Sequence, residues 1–350
     1  MHVTRRRVLG LGVALLCALA IIWLAGTMAR LEVACPSGPH AVGRTRLAWI
    51  DSQRPERHDH ERRREVIAEV WYPAKPRSGS WGRYMPELAA VSPAVVASGG
   101  LSRFEAWGLG QVRCREQTNA AFADVSGRCP VVVFSPGNST NVELYAAYGE
   151  ELASHGYVVF GVNHPYDVQG VRLHDGLVAT YVESGHGEPS AIRVDERAAD
   201  IRFLIDRLSE LDSGDGLFAG RLDLNHIGVM GHSRGGHTAA RAAATDIRIV
   251  ACINVDGLHA GNPYLVRDDG PVPAQPFLYI GKQRTIGPRT EQFIGDNPQG
   301  SLVSVPDAAH LDFSDGPSFE PALNPFDEQS RSVLTTACRA AREFFDKHLR

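Results

Sequence analysis

The stretch Ile227-Gly-Val-Met-Gly-His-Ser-Arg-Gly-Gly236 decides how the rest of the chain is read. Ile227 to Met230 is a short apolar run of the kind that forms a buried strand. Gly231-His232-Ser233-Arg234-Gly235 follows and fits G-x-S-x-G, and a small-residue helical pattern from His237 to Ala244 starts at once. A serine at the tip of a sharp strand-to-helix turn sits in a strained conformation, so its neighbours must lack side chains. The turn lifts the hydroxyl clear of the sheet and sets it at a helix N-terminus, where negative charge is tolerated. A glycine-rich turn with a bystander serine is the weaker reading of the same residues.

Around this turn, apolar runs alternate with helical patterns. Val131–Ser135, Tyr157–Val162, Ile247–Val255, Phe277–Gly281 and Leu302–Val305 read as strands. Leu144–Ser154 has helical spacing, and Val194, Ala198, Ile201, Ile205, Leu208 and Leu211 mark one face of an amphipathic helix. Val333 to Phe345 marks a closing helix. The expected fold class is therefore α/β, with a mostly parallel central sheet covered by helices on both faces. Upstream, Thr45–Ile50 and Val66–Tyr72 read as an antiparallel hairpin at a sheet edge. Between them, Arg62-Arg63-Arg64 sits between Glu61 and Glu65 and reads as a solvated loop. Residues 81–129 are irregular and carry Trp81, Phe104, Trp107 and Phe122. That cap-like segment reads equally as an acyl-binding wall and as plain core.

A serine hydroxyl needs a base in hydrogen-bond reach, and the base needs an orienting acid. In such sheets, ligands sit beyond the carboxyl ends of the strands. The acid and base are therefore sought in turns that follow strands, in the order Ser, Asp, His. Asp256 ends the strand after the nucleophile helix and is a better candidate than Asp268, Asp269 or Asp296 in the loops beyond. Of His259, His310 and His348, only His310 follows the last strand by a short turn. His232 and His164 read as packing residues. A developing oxyanion needs preorganised N–H donors. The amide of Arg234, next after the serine, is one; Asn138, in the turn after Val131–Ser135, is the choice for the second.

Composition narrows the classes. The chain has 350 residues, 43% hydrophobic and 22% charged, with a net charge of −4. That is globular composition without a nucleic-acid footprint. Arg5-Arg6-Arg7 precedes an apolar run of 21 residues from Val8 to Met28. Residues 1–30 therefore read as an export segment, favoured slightly as a retained membrane anchor over a cleaved signal, with the catalytic domain in 31–350. Among the six cysteines, Cys114 and Cys129 flank a polar loop. In an oxidising compartment they are candidates for a disulfide worth about 3 kcal/mol. No zinc-type cysteine or histidine spacing appears, and no metal or cofactor is expected.

With these residues in place, the chain resembles the plasma and type II platelet-activating-factor acetylhydrolase family, within the α/β-hydrolases. The resemblance is carried by Gly38-Pro-His-Ala-Val-Gly43, Glu69-Val-Trp-Tyr-Pro-Ala74, Phe134-Ser-Pro-Gly137, Leu152-Ala-Ser-His-Gly-Tyr157, Gly231-His-Ser-Arg-Gly-Gly236 and Ala309-His-Leu-Asp-Phe-Ser-Asp315. It implies Ser233 as nucleophile, His310 as base, Asp256 as acid, and Asn138 and Arg234 as oxyanion amides. Pro136 and Arg234 depart from the family's usual residues. The resemblance also implies calcium-independent hydrolysis of short or oxidised acyl groups from phospholipids or similar esters. The alternatives are a cutinase-like polyester hydrolase and a non-catalytic anchored binding protein on the same fold.

Overall fold

The computed structural model describes residues 36–76, 82–183, 190–258, 272–317 and 328–350. Residues 1–30, read above as an export segment, and Trp81, His259, Asp268 and Asp269 lie outside the described residues. Among those described, no helix is long and apolar enough to cross a membrane.

The sheet is built from β1 (Ala41–Pro55), β2 (Arg63–Ala74), β3 (Cys129–Ser135), β4 (Val158–Asn163), β5 (Leu222–His232), β6 (Ile249–Val255), β7 (Phe277–Lys282) and β8 (Gly300–Val305). Their order is β8-β7-β6-β5-β3-β4-β2-β1, and a two-residue strand, Gln117–Thr118, lies outside β1. β2 runs antiparallel to both β1 and β4; every pairing from β4 to β8 is parallel. The expected mostly parallel sheet and its antiparallel edge hairpin are both present.

The described helices are α1 (Leu88–Ala97), α2 (Arg103–Leu109), α3 (Ala146–Ser154), α4 (Ser190–Ser213), α5 (Arg234–Thr245), α6 (Pro288–Gly295) and α7 (Glu328–His348). Alternation along β3 shows how the layers are filled. Val132 and Phe134 enter a core with Ala146, Leu152, Leu334 and Phe345 from α3 and α7. Val131 and Val133 enter the opposite core, with Ile201, Leu208, Ala239 and Ala243 from α4 and α5. Strands buried on both faces explain the near-continuous apolar runs in the sequence.

Two expectations fail here. Cys114 and Cys129 are both free and buried. Cys114 belongs to the α3–α7 core and Cys129 to the α4–α5 core, so the sheet stands between them. The basic run is not a solvated loop throughout. Arg64 is only 1% exposed. It lies in β2, donating to Asp200 through Nε and Nη2 at 3.1 and 2.7 Å and to Glu56 at 2.8 Å.

The segment after residue 81 holds α1 and α2. Its base is closed by a two-residue pairing of Gly82–Arg83 with Arg113–Cys114. Ser102 and Glu105 form a capping box that starts α2. A cleft of about 720 Å³ lies between the two helices, lined by Leu88, Trp107 and Leu109 among others; Ser233, Asp256 and His310 do not line it. Phe104 and Trp107 are exposed, whereas Phe122 is core.

Candidate active site

β5 ends at His232 and α5 starts at Arg234, so Ser233 makes the turn by itself, at φ 55° and ψ −122°. A non-glycine residue adopts that backbone only when its surroundings impose it. Here its N–H donates to the Val255 carbonyl at 2.9 Å, and its carbonyl accepts from Gly236 N–H at 2.9 Å. A Cβ on Gly231 would collide with the main chain of Gly235 and Ser135. One on Gly235 would collide with the carbonyls of Ser135 and Pro136. The elbow therefore packs backbone to backbone on the end of β3, which is why those positions are glycine.

Asp256 follows β6 directly and is fully buried. His310 opens a short 3-10 turn, His310–Phe313, five residues after β8. The two meet the serine in a line: Asp256 Oδ2 is 2.6 Å from His310 Nδ1, and His310 Nε2 is 3.0 Å from Ser233 Oγ. The other carboxylate oxygen accepts longer bonds from Lys282 N–H at 3.4 Å and the Tyr279 hydroxyl at 3.5 Å. Lys282 Nζ also stands 3.5 Å from Oδ2. Asp312 steadies the histidine turn, accepting from Ala309 N–H and from the Ser330 hydroxyl of α7, both at 2.8 Å.

Ligand atoms of His232, Asp256 and His310 also lie within 4.8 Å of one another. Both ring nitrogens of His310 already face Asp256 and Ser233, an arrangement that suits proton transfer better than a metal cage. His232 packs beside His310, its ring centroid 4.5 Å from that of His310. His164 is fully buried, with its ring nitrogens facing Ser135 Oγ at 3.0 Å and Asp200 at 2.8 Å. Burial holds its pKa down to about 4. His348 lies at the end of α7 against Phe344.

Asn138 sits in the turn after β3, and Arg234 is the first residue of α5. Neither N–H donates to a main-chain acceptor among the described residues. For Arg234 that follows from its place in the first helical turn. The two residues also touch directly, since the Arg234 guanidinium donates to the Asn138 side-chain oxygen. Sequence reasoning missed Tyr145, whose hydroxyl accepts the Gly137 N–H at 3.1 Å. It also missed Arg197, which donates to the Pro136 carbonyl at 2.7 Å. A signal for the second was present. Arg193, Arg197 and Asp200 recur at four and three along α4, beside its apolar stripe, which places charge on a buried face.

The sheet order, the serine elbow and the crossing of β2 are those of an α/β-hydrolase. Comparison with known proteins agrees. A ferulic acid esterase from Streptomyces cinnamoneus superposes with a TM-score of 0.74 at 28% identity, over 92% of this chain and 94% of that one. Residues 33–170 match the family described as platelet-activating factor acetylhydrolase, isoform II. A relative from Arthroderma benhamiae, named a probable 1-alkyl-2-acetylglycerophosphocholine esterase, is 27% identical over 70% of this chain. The platelet-activating factor acetylhydrolase of Cavia porcellus is 24% identical over 53% of it. The matches span 64% and 48% of those relatives' own lengths.

Proposed function

We propose that the protein is a serine carboxylic ester hydrolase with Ser233 as nucleophile, His310 as general base and acid, and Asp256 as the group that orients the imidazole. The observation that carries this reading is the unbroken hydrogen-bond line from Asp256 through His310 to Ser233 at a strained elbow. Ser233 Oγ attacks the ester carbonyl as His310 Nε2 takes its proton. The N–H groups of Asn138 and Arg234 receive the oxyanion. Collapse breaks the acyl–oxygen bond, and the leaving alkoxide takes the proton from His310. Water, deprotonated by the same histidine, then attacks the acyl-enzyme and releases the acid. These residues supply nucleophile, proton transfer and charge stabilisation, so the reading includes independence from calcium.

The substrate class proposed is a short or oxidised acyl ester, of phospholipid or a similar small molecule, in keeping with the names of the relatives. The structural likeness to a ferulic acid esterase favours a second reading, a broader carboxylesterase. Export through residues 1–30, with the segment kept as an anchor, is proposed from the basic and apolar pattern of those residues. A fluorophosphonate probe tests the nucleophile. The folded protein is expected to take up one probe, mapped to Ser233 and lost in Ser233→Ala; labelling elsewhere, or none, sinks the assignment.

A further inference from the structure

The turn proposed to bind the oxyanion is tied at each of its five residues. Ser135 meets His164. Arg197 donates to the Pro136 carbonyl at 2.7 Å and to the Gly137 carbonyl at 3.3 Å. The Asn138 side chain takes the Arg234 guanidinium, and Ser139 N–H donates to the Asp167 carbonyl at 3.1 Å. Arg197 and Asp167 are 1% and 5% exposed. Asp167 is where these ties converge. Oδ2 accepts from Arg197 Nε, and Oδ1 accepts from Arg193 at 2.8 Å and from Arg234 at 3.2 Å. Burial alone would raise its carboxyl, but the charge of Arg197 and the bond to it, with Arg234 and Arg193 behind, hold it well below the usual carboxylate range.

The Gly137 carbonyl and the Asn138 N–H are opposite ends of one peptide unit. That unit is planar and trans, so fixing the oxygen fixes the direction of the N–H. We propose that Arg197, held in place by Asp167, is a positioning residue that aims the Asn138 N–H at the oxyanion by gripping the far end of its own peptide. Arg234 closes the ring from the other side, since it bonds both Asp167 and the Asn138 side chain while its own amide is the second proposed donor. The inference rests on the oxyanion assignment above. A donor set aimed in advance requires no reorganisation when charge develops, and tilting one donor weakens the transition state more than the bound substrate.

Arg197→Lys keeps the charge and loses the two-pronged grip. It is expected to lower kcat on a p-nitrophenyl ester by about 10- to 100-fold, with KM within about threefold of wild type. Affinity for a trifluoromethyl ketone, whose tetrahedral adduct carries the oxyanion, should fall in parallel with kcat/KM. A purely structural role predicts no such parallel. If Arg197→Lys does not fold, Arg234→Met carries the test with a smaller fall in kcat of the same kind. A folded variant with wild-type kcat, or one whose kcat falls while ketone affinity holds, overturns the inference and leaves the esterase reading intact. A wild type that neither turns over esters nor binds the ketone ends both.

Discussion

The Tyr145 hydroxyl accepts the Gly137 N–H at 3.1 Å and stands 2.8 Å from His232 Nδ1. One buried side chain from the 3-10 turn before α3 thus joins the turn after β3 to the histidine that packs on His310. Replacing it with phenylalanine leaves the shape and removes the acceptor. Tyr145→Phe should lower unfolding free energy by about 1–3 kcal/mol, the cost of an unpaired buried N–H. Urea denaturation measures it, and an unchanged midpoint would mean that water or another group replaces the bond.

The elbow glycines make a sharper contrast. An alanine at Gly235 would press on the carbonyls of Ser135 and Pro136, main-chain atoms that cannot rotate away. Gly235→Ala should cost at least about 1–3 kcal/mol and abolish probe labelling of Ser233. Gly295, at the end of α6, has open space where a Cβ would stand, with nothing within 4 Å. Gly295→Ala should be neutral, or stabilise by up to about 1 kcal/mol. Thermal melts of the pair decide whether local space, and not glycine content, sets tolerance.

Asp315 predicts a pH dependence. It is buried where it accepts the Tyr84 hydroxyl at 2.9 Å and faces the first N–H groups of α3, and burial pushes its pKa up to about 7. In the unfolded chain it ionises near 4, so between those values the folded state binds the extra proton. Its contribution is full below about pH 4 and lost as pH rises through about 7. Asp315→Asn should flatten the melting temperature between pH 4 and 7 relative to wild type. Identical slopes would show that Asp315 is ionised throughout.

Because Cys114 and Cys129 lie in different cores, reductant should leave the melting temperature unchanged. After unfolding without reductant, both should be alkylated. A peptide pair linked through them would contradict the structure.

The sheet was legible because both of its faces are covered, so its strands stand out as unbroken apolar runs such as Val131–Phe134. The line from Asp256 to Ser233 was legible because each member directly follows a strand or a short turn. The ties beneath the Gly137–Asn138 peptide were not, since Tyr145 and Asp167 follow no spacing rule, and the spacing of Arg197 along α4 marks a buried charge without naming its partners. The cysteines misled for a related reason. Nearness along the chain says nothing about which face of a sheet a side chain enters, and Cys114 and Cys129 enter opposite ones. Arg64 was misplaced because local charge balance hid partners at Asp200 and Glu56.

Hydrolysis of p-nitrophenyl esters from acetyl to palmitoyl, wild type beside Ser233→Ala and with a calcium chelator present, tests the central claim most directly. A rate that peaks at short chains, survives the chelator and falls by at least about 10³-fold in Ser233→Ala is the predicted result. Equal rates in wild type and Ser233→Ala, or no hydrolysis of any ester by protein shown to be folded, would contradict it.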